Sequence, residues 1–134
     1  MMTSDLPLAG KRILVIEDNP ENMRLFHAVL KLEDAEVLEA DRAPEGIEIA
    51  EREQPDLILM DIQMPGMDGL TATRLLRANP RTTTIPIIAV TASVTARDRS
   101  ETLEAGCNGH IPKPIDPFVF AQQIAAYLGT EVGM

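Results

Sequence analysis

Glu17, Asp18, Asp61, Thr91 and Lys113 lie far apart in the chain, yet each follows an apolar run. "RILVI" precedes Glu17 and Asp18, "LILM" precedes Asp61, "IPIIAV" precedes Thr91, and "HIP" precedes Lys113. An apolar run that stops on a carboxylate is informative, because burying an unpaired charge costs on the order of several kcal/mol. If these runs are strands pointing the same way, the five side chains meet at one edge of a sheet. Three carboxylates and one ammonium then sum to −2. Like charges packed together raise one another's pKa unless a cation neutralises them. The ligands are hard oxygens on few carboxylates, which suits Mg²⁺, an ion that keeps several waters and binds through one or two carboxylates plus a phosphate. Mn²⁺ could substitute. A carboxylate beside such an ion, with a lysine and a hydroxyl, is equipped for phosphoryl transfer. Metal and lysine stabilise the equatorial oxygens while the carboxylate attacks in line, and the product is an aspartyl phosphate.

The elements that must position these residues alternate along the chain. Strands are expected at Arg12 to Ile16, Ala35 to Ala40, Asp56 to Met60, Ile85 to Ala92 and Cys107 to Ile111. The first helix, Pro20 to Glu33, has Asn19 as N-cap and Pro20 at its first position. Met23, Phe26 and Leu30 share one of its faces, with Leu25, Val29 and Leu32 beside it. Further helices are expected over Pro44 to Glu53 and Gly69 to Asn79. Thr95 with Asp98 forms a capping box for a fourth that ends at Gly106, and Asp116 caps a fifth from Pro117 to Leu128. Strands one, three and four are apolar throughout, as strands buried on both faces of a parallel sheet must be. Right-handed crossovers then give a doubly wound α/β sheet, with the flavodoxin-like order 2-1-3-4-5 as the default for five strands. Its functional crevice lies at the carboxyl ends of the strands.

The chain has 134 residues, 45% apolar and 25% charged, which suits one soluble domain. Residues 1–10 and 130–134 read as flexible ends around a domain at 11–129. No apolar run reaches the ~20 residues of a membrane span. "MMTSDLPLAGKR" lacks the pattern of an export signal, and one cysteine permits no internal disulfide, so a cytoplasmic location is expected. A net charge of −9 argues against nucleic-acid binding.

With these residues in place, the chain resembles the receiver domains of bacterial two-component response regulators, from Lys11 to about Leu128. "ILVIEDN", "PDLILMDIQMPGMDG", "IPIIAVTA" and "HIPKPI" carry the likeness, in that order and spacing. The resemblance implies that Asp61 is the phosphoacceptor, that Asp18 binds Mg²⁺ directly, that Glu17 acts mostly through water, and that the Gln63 carbonyl is a further ligand. Thr91 and the Ala92 backbone N–H would hold phosphoryl oxygens, and Lys113 would pair with one. The Lys113–Pro114 bond would be cis. The donor would be a phosphohistidine on a histidine kinase or histidine phosphotransfer protein. The output would be a changed surface at the fourth helix, fifth strand and fifth helix, read by a downstream protein because no output domain follows Leu128. Within the family the strings look most like single-domain cell-cycle regulators, although receivers of hybrid histidine kinases carry similar ones.

His110 departs from the Tyr or Phe that many receivers carry at this position, a residue that follows the Thr91 hydroxyl. A His fills the same space, and it can also titrate near neutral pH. Gln63 and Ser93, two residues beyond Asp61 and Thr91, are expected to influence dephosphorylation. Other residues take plainer roles: Asp68 as a helix N-cap, Gly66 and Gly69 as turn formers, Cys107 and the "MDIQMPGM" methionines as packing. His27 has no second His or Cys at ligand spacing. Three rivals are weaker. An aspartate-dependent phosphatase of the haloacid dehalogenase type would need an Asp where Gln63 stands. A flavin carrier fits poorly with 3% aromatic residues and no phosphate loop after the first strand. A degenerate receiver acting as a binding scaffold would not need the complete acidic set.

Overall fold

The computed structural model describes residues 6–92 and 95–128. Five strands, β1 (Arg12–Ile16), β2 (Glu36–Ala40), β3 (Leu57–Asp61), β4 (Ile87–Thr91) and β5 (Gly109–Pro112), alternate with five helices, α1 (Pro20–Leu32), α2 (Ala43–Glu53), α3 (Gly69–Ala78), α4 (Ala96–Ala105) and α5 (Phe120–Ala125). All pairings are parallel, and the order is β2-β1-β3-β4-β5, as expected for a doubly wound flavodoxin-like sheet. No described helix is long and apolar enough to cross a membrane.

The strand period of two divides the core into two layers. Ile13, Val15, Leu57, Leu59, Ile88 and Val90 face Phe26 and Leu30 of α1 and Phe120 and Ile124 of α5, where the rings of Phe26 and Phe120 lie 5.7 Å apart. Leu14, Ile16, Ile58, Met60, Ile87 and Ala89 face Ala43 and Ala50 of α2 and Ala72 and Leu76 of α3. Asn19 caps α1 by accepting from the N–H groups of Glu21 and Asn22, and Asp68 caps α3 by accepting from Thr71.

Several expectations need correction. Leu8 is fully buried, because residues 6–10 turn back through an Ala9 N–H to Leu6 carbonyl bond and Gly10 donates to Asp34. Residues 6–10 therefore belong to the domain, while 1–5 and the expected tail 130–134 lie outside the described residues. On α1 only Phe26, Val29 and Leu30 are buried. Leu25 and Leu32 are exposed, since they lie roughly 90° and 110° around the helix from the centre of that stripe, beyond its Val29 edge. The fifth strand begins at Gly109. Asn108 instead turns its side-chain oxygen onto the Ile87 N–H. Asp116 does open the last helical segment, accepting from the Phe118 N–H, but the segment's ends tighten into three-residue turns, Val119 N–H to Asp116 and Leu128 N–H to Ala125. The α-helix proper is therefore only Phe120–Ala125.

Candidate functional site

The registers bring the expected residues to one sheet edge. Ile16 lies beside both Ala40 and Met60, Asp61 beside Val90, and Thr91 beside Pro112. Two backbone bonds extend the pairing past the strand ends: Glu17 N–H donates to Ala40, and Lys113 N–H donates to the Thr91 carbonyl at 2.9 Å. Glu17, Asp61 and Lys113 all continue the alternation of the layer that packs on α1 and α5. Thr91 and His110 follow the opposite alternation, toward the layer that holds α2 and α3. This parity sets the acids and the lysine on one side of the sheet and Thr91 on the other.

Glu17 and Asp61 are only 1% and 3% exposed. Lys113 Nζ is 3.1 Å from Glu17 Oε1 and 3.4 Å from Asp61 Oδ1. The Gln63 N–H donates to Asp61 Oδ1 at 3.1 Å, and the Asn19 N–H donates to Glu17 Oε2. Asp18 completes the group and is partly open to solvent. The ligand oxygens of Glu17, Asp18 and Asp61 lie within 4.8 Å of one another. An acidic cleft of about 440 Å³ opens from this cluster between α1 and the start of α2, with Asp41 and Glu45 on its rim. The Lys113–Pro114 bond is cis.

Burial first, and then the Glu17 charge, raise the Asp61 carboxyl to about 7, against the pull of Lys113 and the Gln63 N–H. One lysine does not neutralise the cluster. Buried Glu17 Oε1 also has no hydrogen bond of good geometry despite its nearby ammonium. An unsatisfied carboxylate oxygen among three all-oxygen ligands fits a hard divalent cation, Mg²⁺ before Zn²⁺. His110 is pushed down, first by burial and then by Arg99. Ala92 is exposed just past β4, and Ser93 lies outside the described residues. His27 is exposed and pairs with Glu39 at 2.7 Å.

Two site features had no sequence signal. Asn19 serves Glu17 through its backbone as well as capping α1 through its side chain. Gly69 was expected as a turn former. A Cβ there would instead collide with the Asp61 carbonyl oxygen and approach Ile62 Cα to 2.8 Å, because α3 begins directly against the β3 backbone. Gly66 is the true turn former, at φ +77°. Gly69→Ala is expected to lower stability by about 1 to 2 kcal/mol despite alanine's better helix propensity. Urea unfolding measures this, and an unchanged midpoint would show that the α3 start relaxes freely.

The model of the response regulator receiver domain matches residues 13–125. The chain is 37% identical over 119 residues to the polar-differentiation response regulator DivK of Brucella anthropi, covering 89% of this chain and 97% of that one. It is 36% identical to the receiver domain of a sensor histidine kinase from Pseudomonas aeruginosa PAO1, solved with a magnesium ion in its active-site cleft. That match has a TM-score of 0.83 over 90% of this chain and 99% of the other. Chemotaxis protein CheY4 of Vibrio cholerae shares the fold, with a TM-score of 0.85 at 22% identity, over 90% of this chain and all of the other. With four matching motifs, the strand order and the acidic edge in agreement, the chain belongs to the response regulator receiver domain family.

Proposed function

We propose that this chain is a phosphorylation switch in a two-component phosphorelay, taking its phosphoryl group from a phosphohistidine of a histidine kinase or histidine phosphotransfer protein. One observation carries the reading: Asp61 is buried at a strand end, beside Lys113 and within reach of Glu17 and Asp18. In the transfer, an Asp61 carboxylate oxygen forms a bond to phosphorus as the donor's P–N bond breaks, and the electron pair leaves with the imidazole nitrogen. Only the ionised carboxylate attacks. Lys113 favours that form by lowering the carboxyl pKa against burial and Glu17, and then pairs with a phosphoryl oxygen. Thr91 and the Ala92 N–H receive the other oxygens. Mg²⁺, held by Asp18, Asp61 and the Gln63 carbonyl, with Glu17 acting through water, would screen the negative charge that builds between donor and acceptor.

The added charge and acceptor oxygens draw Thr91 inward, and the segment between β4 and β5 is the element that responds. His110 shares the parity of Thr91 and follows that movement as a packing residue. The chain acts as a switch with self-catalysed transfer and slow autodephosphorylation, in the cytoplasm, through a downstream protein and without contacting nucleic acid. The test is intact mass after incubation with acetyl phosphate, with and without Mg²⁺, beside Asp61→Asn. One Mg²⁺-dependent phosphoryl adduct, absent from the variant, is the expected result. No adduct on folded protein would overturn the reading in favour of a phosphorylation-independent scaffold. A receiver belonging to a hybrid kinase is a second reading, supported by the 36% identity to the sensor-kinase receiver. The size of the native protein on an immunoblot separates the two.

A further inference from the structure

Asn19 stands between the acids and α1, and its hydrogen-bonding groups face both ways. Its side-chain oxygen accepts from Glu21 N–H at 2.9 Å and from Asn22 N–H at 3.0 Å. Its carbonyl accepts from Met23 N–H at 2.9 Å. Its own N–H points back and donates to Glu17 Oε2 at 3.1 Å. Pro20 has no N–H to give, so the first-turn donors of α1 are all engaged by Asn19. The end of this helix therefore meets the acids at the Asn19 peptide.

That one N–H matters because of where Glu17 is. Its side chain is 1% exposed, so bulk water does not orient the carboxylate. Its backbone is anchored by the Glu17 N–H to Ala40 carbonyl bond, which leaves the side-chain torsions free. Lys113 Nζ is 3.1 Å from Oε1, but Oε1 has no hydrogen bond of good geometry. An ammonium is a compact point charge, which attracts a carboxylate without fixing which oxygen faces where. A backbone N–H is directional. Holding Oε2 leaves Oε1 as the unsatisfied oxygen of a group whose ligand atoms lie within 4.8 Å of one another. The N–H owes its own direction to an extended Asn19 backbone, φ −87° and ψ 119°, and the two capping bonds hold that backbone in place.

We propose that Asn19 is a positioning residue for the cation. Its capping oxygen fixes the backbone N–H that aims Glu17, so that the first turn of α1 and the acidic ligands form one unit. The proposal rests on the phosphorylation reading above, in which Glu17 acts on the ion through water. It predicts more than a helix cap would. A cap stabilises the fold wherever it stands, whereas losing a residue that orients a metal ligand weakens metal binding, typically by about 10- to 100-fold.

Calorimetric titration with Mg²⁺ tests the difference, in conditions where circular dichroism shows each protein folded. Asn19→Ala and Asn19→Gly both remove the capping oxygen. Glycine is tolerated at an N-cap far better than alanine, so the glycine variant keeps the test open if the alanine variant unfolds. Each is expected to bind Mg²⁺ about tenfold more weakly than the parent chain. Asn19→Ser restores a capping oxygen and is expected to stay within about twofold of the parent. Thr95→Ala removes the cap of α4, and is expected to lower the urea midpoint while Mg²⁺ affinity stays within about twofold. Parent affinity in Asn19→Gly would reduce Asn19 to a helix cap and overturn the proposal. So would an equal loss in Asn19→Ser or in Thr95→Ala, or a parent chain that binds no Mg²⁺. If Mg²⁺ affinities follow the expected pattern but acetyl phosphate leaves no adduct by mass, the phosphorylation reading falls and Asn19 still aims Glu17 at the ion.

Discussion

Lys113→Met protein is expected to take a phosphoryl group from acetyl phosphate roughly 10²-fold more slowly than the parent chain, the size of effect seen when one oxyanion donor is removed. The same variant is expected to bind Mg²⁺ more tightly, by on the order of tenfold. The two effects have one cause. Lys113 Nζ sits 3.1 Å from Glu17 and 3.4 Å from Asp61, so its charge offsets one of three carboxylates. Methionine keeps the length and the apolar stem and removes the charge, which takes the cluster from −2 to −3. A more negative cluster attracts a divalent cation more strongly. It also raises the Asp61 pKa further, and it leaves the incoming phosphoryl oxygens without their cation. Quenched-flow mass analysis gives the rate, and calorimetric titration gives the affinity. A variant phosphorylated as fast as the parent would remove Lys113 from the reaction. Weaker Mg²⁺ binding would show that the ammonium shapes the site more than it opposes the ion.

How much of this was legible in the sequence depends on whether a residue's role is local or set by packing. The strand ends were legible because a parallel strand buried on both faces reads as an unbroken apolar run, and its polar terminus marks the carboxyl edge. Glu17, Asp18, Asp61, Thr91 and Lys113 were proposed on that ground, and the registers bring those strand ends together. The caps at Asn19, Asp68 and Thr95 were legible because a side chain bonding its own next turn is a local event. Leu8 was not legible. An isolated leucine in a short, turn-rich segment has no period, and only the turn onto Asp34 carries it under the sheet. Leu25 and Leu32 failed the other way: they have helical spacing, but the stripe that the sheet covers is narrower than the apolar face of α1.

Gly69 shows the same limit at the site. Nothing in "MDGL" distinguishes a turn glycine from one pressed against another strand's carbonyl, because that contact is fixed by where α3 docks. His110 is an intermediate case. Its place on β5 is plain from the strand pattern, but the lowering of its pKa comes from burial and then from Arg99, which no local pattern reports.

Metal-free Asp61→Asn protein is expected to be more stable than the parent above pH 7, by about 2 to 4 kcal/mol, or about 10 °C in Tm. The sign follows from the raised carboxyl, which burial and Glu17 push from 3.8 up to about 7. Below pH 3.8 the group is neutral in both the folded and the unfolded chain and contributes no difference. Between about 4 and 7 the unfolded chain ionises while the folded chain keeps its proton, so the contribution of Asp61 to stability falls as pH rises. Above about 7 both forms are ionised and the penalty is constant. Asparagine carries no charge, retains an oxygen for the Gln63 N–H, and leaves Lys113 to Glu17. The gap between the two proteins should therefore be near zero at pH 4, open through pH 4 to 7, and then stay level. Mg²⁺ should narrow it from the parent's side, since a ligand at 100 times its Kd stabilises by about 2.7 kcal/mol, whereas the variant offers the ion one carboxylate fewer. Urea unfolding at several pH values, with a chelator and with Mg²⁺, measures all of this. A change that removes the chemistry and strengthens the fold is what a site arranged for reaction should give. Equal or lower stability of Asp61→Asn across the whole range would mean that Lys113 already balances the carboxylates, leaving no excess charge to draw in a cation or to hold Asp61 poised for attack.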